Sequence, residues 1–144
     1  MRAAQIAETA PTVGMDDSIW SAARELAHGL AGVVVVDLEG RPTGVLAAGD
    51  VVAATLPSYV LQAPLVAAAL DEGFADDALR RMMDRPVAEV VDPRHLNVVD
   101  PDATTVEVAT AMADSNCPLV VVTMPDVGWG VVTAARLLDA LLMS

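Results

Sequence analysis

The residues best placed to do chemistry stand in two related phrases. GVLAAGD runs from Gly44 to Asp50, and GVVTAAR runs from Gly130 to Arg136. Each opens with a glycine and two bulky apolar residues, as the end of a buried strand would, and each leads into an amphipathic tail. The polar letters differ: a carboxylate at Asp50, a hydroxyl at Thr133, a guanidinium at Arg136. Such groups recognise ligands by hydrogen bonding and charge. They also have plain structural uses. Asp50 suits the first turn of a helix, where the dipole favours an acid, Thr133 suits an N-cap, and Arg136 suits an ion pair. Bond-making chemistry is not expected. The chain has no P-loop, no GxSxG, no HExxH and no paired cysteines. GWGVVT contains Gly-x-Gly, but it begins a strand instead of following one and lacks the third glycine, which excludes a dinucleotide fingerprint.

The remaining reactive side chains are isolated. Cys117 is the single cysteine, which permits no internal disulfide and fits a reducing, cytoplasmic setting; it reads as a small buried apolar residue ahead of a strand. His28 and His95 lie far apart without ligand-spaced neighbours, so both read as surface or loop residues and no metal site is expected. Trp20 and Trp129 read as core or subunit contacts. The formal charge of -12, from 20 acidic and 8 basic residues, repels phosphate backbones and anionic lipid, which argues against nucleic-acid and membrane-surface partners. Aromatic residues are too sparse for base-stacking platforms.

No secretory signal is visible in MRAAQIAETAP. The stretch Val51 to Leu70 carries no charge and is about as long as a membrane span. Pro57, Ser58, Gln62 and Pro64 interrupt it, and no basic flank anchors it. It reads as a helix end, a connection and a new helix.

The elements that position the two phrases repeat with them. With Gly44 set on Gly130, Val13–Leu56 lies over Val99–Leu142 without a gap. Val34, Val35 and Val36 then fall on Val120, Val121 and Val122, and Asp16 falls on Asp102. Asp16 and Asp102 are expected N-caps. Behind them, Ile19, Ala22, Ala23, Leu26 and Ala27, and Val106, Ala109, Met112 and Ala113, make one helical face each. Gly29 is an expected helix stop. The runs GVVVVD and PLVVVT predict strands covered on both faces. A turn, a second strand from Gly44 or Gly130, and helices over about 48–55 and 134–142 complete each copy. Short lead-in strands are expected near Gln5–Ala7 and Val87–Val91. Between the copies, Pro64–Arg85 predicts one or two linker helices, with Leu65, Ala68 and Ala69 as an apolar face and Asp76, Asp77, Arg80, Arg81 and Asp84 as a solvated one.

Two copies of strand–helix–strand–strand–helix, carried by AGVVVVDLEGRPTGVLAAGDVV and CPLVVVTMPDVGWGVVTAARLL, resemble the cystathionine-β-synthase (CBS) domain pair, or Bateman module. The resemblance implies an α/β fold with pseudo-twofold symmetry, each copy β-α-β-β-α. It sets one CBS domain at residues 1–57, a linker helix region at 58–84 and a second domain at 85–144. It also implies a homodimer that senses an adenosine-containing ligand between the copies and signals to a regulated partner.

In the family pattern, Gly-apolar-apolar-Thr/Ser-x-x-Asp, the hydroxyl meets a phosphate at a helix start and the carboxylate accepts from the ribose hydroxyls. This chain splits that pair. Ala47 lacks the hydroxyl while Asp50 keeps the carboxylate; Thr133 keeps the hydroxyl while Arg136 replaces the carboxylate. One lost charge-assisted hydrogen bond costs about 1.5–3 kcal/mol. Ala31-Gly32 and Cys117-Pro118 offer no basic residue for phosphates. The resemblance therefore places a ligand against Gly32, Val33, Ala47 and Asp50, and against Pro118, Thr133 and Arg136. It favours AMP or adenosine over ATP, with no resident cofactor. The other expectation is a dimerisation or protein-interaction scaffold with degenerate nucleotide sites.

Overall fold

The structure is a computed structural model that describes residues 1–57, 73–126 and 128–143. The described residues form two three-stranded sheets of the same plan. In the first, β1 (Thr12–Gly14) runs parallel to β2 (Gly32–Val36), which pairs antiparallel with β3 (Pro42–Ala47). In the second, β4 (Val98–Val99) runs parallel to β5 (Leu119–Met124), which pairs antiparallel with β6 (Gly128–Thr133). Helix α2 (Ile19–Leu26) joins β1 to β2, and α3 (Ala48–Ala54) follows β3. Their counterparts in the second half are α5 (Thr105–Ser115) and α6 (Ala134–Met143). Among the described residues there are two further helices, α1 (Ala3–Ile6) and α4 (Phe74–Asp84).

The continuous valine runs are explained by burial on both faces. Strand side chains alternate between faces. Val33, Val35 and Leu46 pack with Ile19, Ala22 and Leu26 of α2 and with Val51 and Ala54 of α3. Val34 and Val45 point the other way and meet Cys117, Leu119, Val121 and Val131 of the second half. Val120, Val122 and Val132 pack under Val108, Leu137 and Ala140. The two sheets thus share an inner core, and each has its own helices outside.

Four expectations need correction. Helix α2 is preceded by Ser18 and α5 by Thr104, not by Asp16 and Asp102. The Asp17 carboxylate turns back to accept from Gly14 N at 2.7 Å, and Thr104 forms a reciprocal capping box with Glu107. Secondly, the lead-in segments are not strands. Residues 3–6 are helical and Val87–Glu89 is a 3-10 turn, while the strands lie further on, at β1 and β4. Their amides serve the opposite half one at a time: Ala3 N donates to Ala103 O and Ala4 N to Pro101 O, as Val87 N does to Asp17 O and Ala88 N to Met15 O, all at 2.8–3.0 Å. These paired contacts display the pseudo-twofold symmetry directly.

Thirdly, the halves do not superpose without a gap. Leu46 faces Val33, and Val132 faces Val120; Gly44 faces Val35, and Gly130 faces Val122. Val33, Val34 and Val35 are therefore the counterparts of Val120, Val121 and Val122, and Gly32 is the counterpart of Leu119. The register shift between Val35 and Val36 absorbs the extra residue, since Pro42 and Gly44 are paired and Thr43 is skipped. Fourthly, His95, expected at the surface or in a loop, does stand on a connecting turn, Pro93–His95, but it is mostly buried there and contacts Asp50 of the other half.

Other expectations hold. Gly29 adopts φ +89 just beyond α2, and α3 and α6 lie where the sequence set them. Helix α4 lies within 64–85, where one or two helices were expected, with Asp76, Asp77, Arg80 and Asp84 exposed. Arg81 is partly buried and donates to Thr55 O at 3.0 Å. Leu65, Ala68 and Ala69 lie outside the described residues, as does most of the uncharged stretch. No helix among the described residues is long and apolar enough to cross a membrane.

The leading glycine of each phrase has a packing reason. A Cβ on Gly44 would stand 2.6 Å from Val91 Cγ2, and one on Gly130 would stand 3.1 Å from Glu8 O and 3.3 Å from Ala7 Cβ. In each half, the lead-in of the other half crosses over this glycine.

Candidate ligand cleft

The first phrase brings Gly32, Ala47 and Asp50 together. Gly32 pairs with Ala47 at the ends of β2 and β3, and Asp50 lies in the first turn of α3. Asp50 Oδ2 accepts from Ala47 N at 2.9 Å. The same oxygen lies 3.1 Å from Nδ1 of His95, which stands at the end of the 3-10 turn Pro93–His95. Among the described residues Oδ1 has no hydrogen-bond partner. Val33 is fully buried in the helix-side core. Space beside Gly32 is taken by Leu119, whose Cδ2 would stand 2.9 Å from an added Cβ.

The turn that delivers His95 is fixed by its own sequence. Asp92 caps it by accepting from Arg94 N at 2.9 Å, with proline in the first turn. The Arg94 side chain then closes on the same carboxylate, with Nη2 2.9 Å from Oδ2. These bonds, the side-chain bond first, hold the Asp92 carboxyl down at about 2. DPRH is thus a turn signal legible in the sequence. What the sequence hides is that this turn lies along β3 of the other half.

Cys117 connects the two regions. It is buried in the inner core. Burial above all pushes its thiol up; the Leu119 backbone amide pulls it down, and the charge of Asp50 adds to the rise. Asp50 therefore faces the second half electrostatically.

The second phrase brings Pro118, Thr133 and Arg136 together around the start of α6. Pro118 O accepts from Ala134 N at 2.7 Å. Thr133 Oγ1 accepts from Arg136 N at 3.1 Å, which makes Thr133 the cap of α6. Arg136 donates through Nε to Ile6 O at 3.4 Å and pairs with Asp139 at 3.6 Å. A groove of about 470 Å³ opens beside this cluster, lined by Ala109, Met112, Ala113, Pro118, Ala134 and Leu137 among others. It is an apolar space between α5 and α6, distant in character from the polar Asp50 cluster. His28 is exposed. Trp129 is partly buried and donates through its indole to Gly40 O of the other half at 2.9 Å. Trp20 carries the Arg24 guanidinium 4.8 Å from its ring centroid. No group of three or more His, Cys, Asp or Glu gathers as a metal set among the described residues.

Two strand–helix–strand–strand–helix halves, each crossed by the other's lead-in and meeting through their sheets, define a tandem two-domain module. Residues 3–56 match the CBS domain family. A CBS domain-containing protein from Kribbella flavida is 39% identical, with 99% of each chain covered and a TM-score of 0.81. The chain belongs to the CBS-domain-containing proteins, as a CBS domain pair. CBSX2, solved in complex with AMP, shares the fold at 17% identity, with 99% of this chain and 96% of that chain covered and a TM-score of 0.66. Hypoxic Response Protein I, solved with two coordinated zinc ions, does so at 20% identity, with 96% and 98% covered and a TM-score of 0.66. No curated protein matches the chain significantly.

Proposed function

We propose that this CBS pair is a ligand sensor whose first cleft binds an adenosine-type small molecule, AMP or adenosine rather than ATP. The observation that carries the reading is the Asp50 carboxylate. One of its oxygens is fixed by Ala47 N and His95, and the other, Oδ1, has no hydrogen-bond partner among the described residues and is the acceptor proposed for a ribose hydroxyl. Neither Ala31-Gly32 nor Cys117-Pro118 supplies a cation for a triphosphate. The complex of CBSX2 with AMP supports the ligand class. Binding in the first cleft shifts the contact between the halves, and a regulated partner reads the shift; the ligand acts only through its differential affinity for the two states. The working form is a cytoplasmic homodimer, for which the exposed Leu138, Leu142 and Met143 of α6 supply an apolar surface.

The test is calorimetry and thermal shift with AMP, adenosine, ATP, NAD and S-adenosylmethionine. Adenosine and AMP bind, ATP binds more weakly, and Asp50→Ala abolishes the response. No heat and no shift with any of them at millimolar concentration sinks the reading.

One observation favours a second reading. Asp50, Thr133 and Arg136 all have partners within the chain, as they would in a scaffold whose sites have turned structural. That reading expects a dimer whose melting temperature rises with protein concentration and ignores nucleotides.

A further inference from the structure

The acceptor that the proposed ligand needs is already in use. Asp50 Oδ2 and His95 Nδ1 are 3.1 Å apart, and their side chains are only 19% and 18% exposed. The imidazole arrives from the lead-in of the second half, on a turn held by Asp92 and Arg94. Its other nitrogen, Nε2, lies 4.0 Å from Asp92 Oδ2, beyond hydrogen-bond length. One imidazole therefore stands between two carboxylates, bonded to one and a short movement from the other.

From this geometry we propose that His95 is a specificity-determining residue of the first cleft: it competes with a ribose diol for Asp50, and a bound diol hands the imidazole over to Asp92. The proposal rests on the reading of Asp50 as the ribose acceptor. A vicinal diol presents two donors and occupies both oxygens of a carboxylate. With His95 on Oδ2, only Oδ1 is available. A nucleoside with a single hydroxyl at that place fits beside His95, whereas a riboside has to displace it. The latch thus suppresses the ordinary preference for a riboside over its 2′-deoxy analogue. It also makes the Pro93–His95 turn the element that responds to a riboside, because losing Asp50 frees its end from the first half.

The experiment compares adenosine with 2′-deoxyadenosine by calorimetry on the full chain, for wild type, His95→Phe, His95→Asn and Asp50→Ala. Phenylalanine fills the same space without a donor; His95→Ala serves where it does not fold. In His95→Phe, adenosine tightens by about tenfold, the effect of one hydrogen bond to a charged group, while 2′-deoxyadenosine is unchanged. Asparagine keeps a donor near Nδ1 and restores the wild-type ratio. An unchanged ratio in His95→Phe and His95→Ala, with binding still lost in Asp50→Ala, overturns the latch and leaves the site standing. Neither nucleoside bound by any form, or binding indifferent to Asp50→Ala, overturns the latch together with the proposed function.

Discussion

Asp50 and Arg136 stand on the same turn of corresponding helices, yet one is an acid and the other a base. What each does is nevertheless alike: it ties the helix after the second strand to the lead-in of the opposite half. Asp50 meets the His95 imidazole there, and Arg136 meets the Ile6 carbonyl. The sign of the charge follows from what the crossing segment offers. The caps are divided in the same way. In the first half the third helical residue accepts from the N-cap amide, and in the second the N-cap hydroxyl accepts from the third residue's amide. A full capping box would hold both bonds in one helix. A motif that looks broken for ligand binding is thus complete as two half-caps and two ties, and Asp50 keeps an oxygen, Oδ1, without a hydrogen-bond partner among the described residues.

The sharpest break in the symmetry lies where the sheets meet. Gly32 and Leu119 are counterparts by strand pairing, and the leucine fills the space the glycine leaves. Leu119→Ala should cost about 2–5 kcal/mol in denaturant unfolding, the range for a fully buried leucine. Gly32→Ala meets Leu119 Cδ2 and should cost about 1–3 kcal/mol as overpacking. Combined, the two should cost less than their sum, because the added methyl enters the vacated space. Strict additivity would break the pairing of these two positions.

The repeated glycines separate the halves at a smaller scale. Gly44→Ala and Gly130→Ala should each cost about 1–3 kcal/mol by the same overpacking. The obstacle at Gly44 is the tip of the Val91 side chain, whereas at Gly130 it includes the Glu8 backbone carbonyl. Val91→Ala should therefore relieve Gly44→Ala in thermal melts, and Ala7→Gly should leave most of the Gly130→Ala loss in place. Equal rescue in both halves would contradict the difference.

These positions also show what a reader of the sequence can and cannot see. The helices and the second strands carry periodic apolar faces, so their places were legible. A run such as Val33–Val36 has no polar residue to set its phase, and a slip of one residue turns every side chain to the other face. The alignment that places Val34 on Val120 is wrong for that reason. The lead-in segments carry short apolar patterns that suit a strand, but their hydrogen bonds come from the opposite half, and that is a tertiary fact. His95 was missed for the same cause. Its turn is written in DPRH, while its partner Asp50 is distant in the chain. Asp50, Thr133 and Arg136 were legible as polar residues at a helix start, and their partners were not.

The half-caps invite a matched pair of substitutions. Thr133→Ala removes the hydroxyl that caps α6 and should cost about 1 kcal/mol. Ala47→Thr adds the missing hydroxyl to the first half, beside an Asp50 already bonded to the Ala47 amide, and should stabilise by a similar or smaller amount. Melting temperatures should move in opposite directions. A loss on Ala47→Thr would mean that the hydroxyl displaces the Asp50–His95 contact, which the exchange rates of the 92–97 amides would report.

The smallest effect separates the two crossing segments by acidity. The N-terminal segment is attached through main-chain bonds to Ala103, Pro101 and Val131, which do not titrate in this range. The second is shaped by Asp92, whose carboxyl is held down at about 2 by Arg94 against an unfolded value of about 3.9. A carboxyl depressed in the folded state contributes stability that is fully present above its unfolded pKa and lost as pH falls through the folded one. The contribution should hold from neutral pH down to about 4 and fade toward about 2. Hydrogen exchange at Arg94, His95 and Leu96 should therefore accelerate over that window relative to Ala3, Ala4 and Glu8. Asp92→Asn should abolish the difference, because no carboxylate is left to protonate. Parallel acceleration of both segments in wild type would show that acid loosens the halves as a whole and that the Asp92–Arg94 clasp is not what holds the second lead-in in shape.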